Sequence, residues 1–167
     1  AELHFASDEF IAVENETPGH MTIMKNGNPV LDLTDFPLGG GYQRHNLAGV
    51  FKAVEILRRQ FRINDEHVES GLKNVVSNTG LKGRWQVIQH RPTVVCDTGH
   101  NAGGISEVVR QIGREKFDRL FMIIGMVKDK DIRTVLSLLP ANAAYFFCQA
   151  RIPRAMDAQL LQREAAQ

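Results

Sequence analysis

Hydrophobic and polar positions change rhythm near residue 80. Before that point, three short extended runs, Phe10 to Val13, Met21 to Lys25 and Pro29 to Leu33, are separated by polar residues, with a hairpin turn at Asn26-Gly27-Asn28. They predict a small β-meander. After the Gly39-Gly40-Gly41 break, Leu47, Val50, Phe51, Val54 and Leu57 fall on one face of a helix predicted over Asn46 to Gln60, starting near His45 or Asn46. A shorter helix is expected around Asp65 to Leu72, and the polar stretch Ser77 to Gly83 reads as a linker.

Beyond the linker, apolar runs alternate with amphipathic ones. Strands are predicted near Pro92 to Cys96, Leu120 to Gly125 and Ala143 to Cys148, and helices near Ala102 to Arg114, Asp131 to Leu139 and Asp157 to Ala166. Trp85 to Gln89 is expected to pair with the first strand as an antiparallel edge. The fold class that follows is α/β: a Rossmann-like, mostly parallel sheet with helices on both faces, preceded by a small β-meander plus helix. The linker sets the expected domains at 1–81 and 82–167, the second incomplete at its end, with further strands expected beyond Gln167.

Composition removes several classes. With 167 residues, 43% of them hydrophobic, the chain can bury a core. A net charge of +1 with scattered Lys and Arg leaves no electrostatic footprint for nucleic acid. The longest apolar stretch, Leu120 to Val127, is too short to cross a bilayer, and no signal-peptide pattern opens the chain. A soluble, cytoplasmic protein is expected, without a membrane partner. Cys96 and Cys148 each end a predicted buried strand and lack C-x-x-C spacing, so they read as reduced core thiols.

Chemistry concentrates at Val94-Val95-Cys96-Asp97-Thr98-Gly99-His100-Asn101, where an apolar strand runs into polar groups and then a helix. In open α/β sheets ligands bind beyond the carboxyl ends of strands, where helix N–H groups attract anions. The local pattern alone fits helix capping plus a surface imidazole equally well. The next strand ends offer Lys128, Asp129, Lys130 and Asp131, then Arg151 and Arg154 around Pro153. The three ends are expected to face one crevice. Cations there suit phosphate or carboxylate, and the scarcity of further carboxylates and imidazoles argues against a metal centre. The run from Lys128 also reads as a solvated loop with Asp131 capping a helix, and Arg154 as a surface side chain. Trp85, Phe146 and Phe147 are assigned to packing.

Several motifs occur together in a specific order: Gly41-Tyr42-Gln43-Arg44-His45-Asn46, Gly83-Arg84-Trp85-Gln86, Asp97-Thr98-Gly99-His100-Asn101, Gly125-Met126-Val127-Lys128-Asp129-Lys130-Asp131 and Pro153-Arg154-Ala155. Across Leu38 to Ala155 the chain resembles the folylpolyglutamate synthase and dihydrofolate synthase family of the Mur-ligase superfamily. The resemblance implies an ATP-dependent ligase that adds L-glutamate to dihydropteroate or a folate through an acyl phosphate. It further implies an amino-terminal ATPase domain with the phosphate loop and the Mg2+ ligands, of which this chain holds only the end. By resemblance, Asn46 contacts adenine, Arg84 meets the nucleotide, Asp97 binds ribose, and His100 lies near the phosphates. His100 and Lys128 are the catalytic candidates, acting on phosphate or incoming glutamate; no metal ligand is assigned. A monomer is implied. Gly99, Ala102 and Tyr42 depart from the family's usual alanine, proline and histidine.

No lysine sits in a Gly-x-x-x-x-Gly-Lys-Ser/Thr loop; Lys52, Lys73 and Lys82 precede Ala53, Asn74 and Gly83. The chain alone is therefore expected to be inactive and to bind nucleotide weakly if at all. Two other classes compete: a stand-alone nucleotide- or anion-binding Rossmann-like module without catalysis, and a metal-dependent phosphoesterase built on Asp97 and His100. A cell-wall peptide ligase of the same superfamily fits the motifs less well.

Overall fold

The computed structural model describes residues 3–17, 19–129 and 131–167. Lys130, one of the cationic positions named above, lies outside the described residues. The chain forms two compact units, Ala1–Asp97 and Thr98–Gln167. It is a mixed α/β protein.

Unit 1 begins with a three-stranded antiparallel meander, β1 (Phe10–Glu14), β2 (Met21–Lys25) and β3 (Asn28–Leu33). Lys25 faces Asn28, so the β2–β3 connection is the two-residue loop Asn26-Gly27, both with positive φ (48° and 81°). That is the backbone which matches strand twist, and Asn-Gly adopts it at least cost. Period-two burial turns Phe10, Ala12, Met21, Ile23 and Leu33 inward and leaves Ile11 and Val13 outside.

The inward face packs against α1 (Gln43–Leu57) and α2 (Asp65–Lys73), whose Leu47, Ala48, Val68 and Leu72 complete one core with Phe36. Asn64 caps α2 by accepting the His67 N–H at 2.8 Å, and the His67 ring returns the contact. α1 differs from its sequence expectation in two ways. It starts at Gln43, two to three residues early, and its buried face includes Gln43, Leu47, Ala48 and Lys52 while Val50 and Leu57 are exposed. Lys52 can be buried because its ammonium meets Glu9 at 2.6 Å and Glu55 at 3.5 Å, and Glu55 also holds Lys25 at 2.8 Å. The expected linker is also partly helical: α3 (Val75–Thr79) covers Ser77 to Thr79 and ends at Gly80.

The strand after it, β4 (Gln86–His90), pairs antiparallel with β5 (Thr93–Cys96), as the edge assignment predicts. The buried character expected of β5 is not found. Every residue of β5 is exposed, because the β4–β5 ladder is a two-stranded sheet of its own. Cys96 and Cys148 are free thiols, yet both are exposed rather than in a core.

Unit 2 contains α4 (Ala102–Ile112), β6 (Phe121–Ile124), α5 (Ile132–Ser137), β7 (Ala144–Phe147) and α6 (Ala158–Ala165). β6 and β7 pair in parallel, Phe121 with Ala144 through Ile124 with Phe147. Asn101, Asp131 and Asp157 cap the three helices, each side chain accepting an N–H three residues on. α6 packs on β7 and α5. Among the described residues the ladders are the antiparallel β1–β3 meander, the antiparallel β4–β5 pair and the parallel β6–β7 pair, the α/β make-up with parallel strands that the sequence predicts.

Candidate functional site

The turn into α1 builds the densest polar cluster of unit 1. Gln43 N–H bonds the Gly40 carbonyl at 3.0 Å, and Gly40 has φ +91°. A Cβ there would lie 2.5 Å from the Tyr42 ring, so a side chain at residue 40 would strain the turn and strike the ring. The ring's hydroxyl donates to Asp97 Oδ2 at 3.1 Å. The same oxygen accepts the Trp85 backbone N–H at 2.7 Å. Trp85 holds φ +48°, unusual for a bulky residue, and the carboxylate bond fixes it there. Burial pushes the Tyr42 hydroxyl up to about 12, aided by the adjacent Asp97 charge and hydrogen bond, against the opposing Arg84 charge.

Beside this cluster lies a groove of about 300 Å³ lined by Phe36, Leu38, Leu47, Val50, Leu72 and Val75, with Gln43, Asn46, Leu81 and Arg84 also on its walls. Its floor is mostly apolar, and Gln43, Asn46 and Arg84 are its polar members. Asn46 Nδ2 donates to Gln43 Oε1 at 2.9 Å. Gln43 is 2% exposed and its Nε2 has no hydrogen-bond partner. The Gln43 side chain also opposes the rise at Tyr42. Gly83 N–H is held by Gln86 Oε1 at 3.0 Å, and Arg84 Nη1 reaches the Gly83 carbonyl at 3.3 Å, so the segment before β4 is tied down locally.

In unit 2, His100 is exposed and its Nδ1 lies 3.0 Å from the Thr98 carbonyl. The contact needs a proton on Nδ1, which makes Nε2 the acceptor nitrogen of the neutral ring. The ends of β6 and β7 meet: Lys128 N–H bonds the Arg154 carbonyl at 3.0 Å, Met156 N–H bonds the Met126 carbonyl at 2.8 Å, and Val127 bridges Ala155. Lys128 itself is exposed, and Arg154 approaches Asp129 at 3.8 Å. Asp131 both caps α5 and accepts the Thr134 hydroxyl at 2.7 Å, which lowers its carboxyl below the usual range.

Of the sequence-nominated residues, Asn46 and Arg84 therefore line one groove, Asp97 belongs to the cluster beside it in unit 1, and His100 and Lys128 belong to unit 2. Tyr42, Gln43 and the Trp85 N–H were not among the nominated groups. Gln43 had a legible signal, a polar residue in phase with Leu47 on the buried face of α1; the Trp85 amide had none. Among the described residues, no three His, Cys, Asp or Glu side chains converge as a metal centre would require. No helix among them is long and apolar enough to cross a membrane.

The sequence profile described as "Mur ligase, glutamate ligase domain" matches residues 83–167. The chain is 35% identical over 127 residues to the probable bifunctional folylpolyglutamate synthase/dihydropteroate synthase of Haloferax volcanii, covering 75% of this chain and 14% of that protein. The protein of the same description from Halobacterium salinarum is 31% identical over 128 residues, covering 77% of this chain and 15% of that one. Among solved structures, Mycobacterium tuberculosis folylpolyglutamate synthase complexed with ADP and AMPPCP aligns with a TM-score of 0.80 at 26% identity, covering 95% of this chain and 36% of that chain. The chain thus spans a minor part of the length of each. By profile, relatives and fold together, it belongs to the folylpolyglutamate synthase/dihydrofolate synthase family of Mur ligases and carries that family's carboxyl-terminal, glutamate ligase portion.

Proposed function

We propose that this chain is the nucleotide-closing, glutamate-accepting part of an ATP-dependent ligase that joins L-glutamate to dihydropteroate or a folate. In this reading the terminal phosphoryl group of ATP passes to the substrate carboxylate, giving an acyl phosphate and ADP. The glutamate amine then attacks the acyl carbon and expels phosphate. Domain limits of 1–81, the end of the ATPase domain, and 82–167, the ligase domain, belong to the same reading, as does a cytoplasmic, monomeric protein.

The observation that carries it is the groove. Asn46 and Arg84, nominated from separate motifs, line the same apolar space, and a buried amide donor of Gln43 lacks a partner beside them. A purine offers flat apolar faces and ring-nitrogen acceptors, which would satisfy both the floor and the orphan donor. Arg84 would meet phosphate charge, and Asp97 would accept ribose hydroxyls. His100 and Lys128 are assigned to the phosphate or the incoming glutamate, His100 through Nε2 and Lys128 as a point charge.

The reading is tested by titrating the chain with ADP to 10-millimolar concentrations (on the order of the weak binding expected) and following amide resonances. Shifts centred on Gln43, Asn46 and Arg84, lost in Asn46→Ala, are expected; no shift, or shifts confined elsewhere, would overturn the groove assignment. With ATP, L-glutamate and dihydropteroate, the chain alone should turn nothing over. In a polypeptide joining this sequence to a phosphate-loop domain, His100→Ala should depress ligation, and an unchanged rate would remove His100 from the chemistry.

A further inference from the structure

We infer that Tyr42 is a positioning residue for nucleotide binding, its hydroxyl and the Trp85 N–H together fixing Asp97 in the orientation that receives the ribose. The inference rests on the ribose assignment of Asp97 made above and extends it to a residue that touches no ligand.

Three observations converge on it. Two donors from different parts of the chain, 55 and 12 positions away, fall on the same oxygen, Oδ2 of Asp97. A carboxylate on a single rotatable Cβ–Cγ bond spins freely unless its plane is pinned, and two donors on one oxygen pin it. The ring that carries one donor is itself seated, because Gly40 at φ +91° leaves only enough room for it. The other donor comes from a residue in the left-handed region, Trp85 at φ +48°, a conformation a bulky residue occupies only when its surroundings impose it.

The choice of a phenol matters. The charged and polar groups acting on the hydroxyl are Asp97, Arg84 and the Gln43 amide, and with burial their balance keeps it protonated far above neutrality. It therefore donates throughout the range in which enzymes work, whereas an imidazole at the same place would change charge near pH 6.5. Pinning the carboxylate in advance removes the cost of ordering it when the ribose arrives.

The test compares ADP with 2′,3′-dideoxy-ADP, which lacks the hydroxyls Asp97 would accept, by resonance titration of the wild-type chain and of Tyr42→Phe, Tyr42→His and Asp97→Asn. Tyr42→Phe should weaken ADP about tenfold and leave the dideoxy analogue within about twofold, since only the ribose contact depends on the carboxylate's aim. Tyr42→His should restore ADP binding with an affinity that changes between pH 5.5 and 8, where the wild type stays flat. Equal weakening of both ligands by Tyr42→Phe, or none, would overturn the positioning role. If Asp97→Asn fails to separate the two ligands, or the wild type binds neither, the ribose assignment itself falls and the inference with it. A fold-independent check is the phenol absorbance titration: Asp97→Ala should bring the Tyr42 transition to lower pH, and an unmoved transition would show that the pair does not form.

Discussion

The two units of this chain bury their apolar residues very differently. Unit 1 gathers ten buried apolar residues into one cluster between a meander and two helices. Unit 2 buries only Val135, Ala155, Met156 and Leu161 among its described residues, and leaves Phe121, Ile123 and Phe146 exposed on its strands. Yet all three helices of unit 2 carry a side-chain cap, whereas α1, the longest helix of unit 1, has none. Packing density alone does not decide this, since α2 in the dense unit is capped by Asn64; α1 instead starts from the Gly40 turn that feeds it. The nominated side chains are split between the two units: Asn46, Arg84 and Asp97 lie in unit 1, His100 and Lys128 in unit 2.

The largest effects should come from emptying each core. Ile23 and Leu161 are both 0% exposed, one in each unit. Ile23→Ala should cost about 4 kcal/mol, near the upper end for a large-to-small change, because its rigid surroundings cannot close the cavity. Leu161→Ala should cost about 2 kcal/mol, because thin packing relaxes around the loss. Denaturant midpoints of the two variants measure the difference, and equal costs would break the contrast between the units.

A smaller effect belongs to the ion network of unit 1. Lys52→Met keeps the volume but removes the cation shared by Glu9 and Glu55. Both glutamates are about one-third exposed, so water takes over part of the lost interaction. Stability should fall by less than for Ile23→Ala, and the deficit should shrink in molar salt. A deficit insensitive to salt would mean that Lys52 matters through packing of its stem instead. Smaller still is the loss of a cap in unit 2: Asp157→Ala removes the acceptor of the Leu160 N–H at 2.9 Å and should cost about 1 kcal/mol, read from the thermal midpoint.

How far these features were legible in the sequence depends on the range of the interaction. The meander and its Asn26-Gly27 turn were readable because alternation and turn chemistry are local. So were the caps at Asn101, Asp131 and Asp157. The face of α1 is only partly legible: Leu47, Phe51 and Val54 pack on the core as their spacing predicts, but an apolar-residue count cannot anticipate that Glu9, 43 positions away, lets Lys52 be buried. Val94 and Val95 suggest a buried β5, but burial of a strand is decided by what pairs and covers it, which its own residues do not encode. At the site, Asn46, Arg84 and Asp97 could be nominated through motifs. The Tyr42–Asp97 bond, spanning 55 positions, and the backbone donor of Trp85 could not.

The finest probe of the packed unit is its tyrosine. In the folded chain the Tyr42 hydroxyl titrates at about 12, against an ordinary value of 10.0. The folded state therefore holds the proton more tightly than the unfolded chain does. Tyr42 contributes its full stabilisation below pH 10, and that contribution is lost as the pH rises from about 10 to about 12. Tyr145, raised by burial alone, adds a loss of the same sign from unit 2. Tyr42→Phe should remove the first loss only, so the variant's stability should fall less steeply than the wild type's above pH 10, with Tyr145→Phe as the matching control in the other unit. Chemical denaturation at pH 9, 10 and 11 reads the slopes. If the two phenylalanine variants flatten the curve equally, the extra rise at Tyr42 does not come from its Asp97 partner, because burial is the one cause the two tyrosines share.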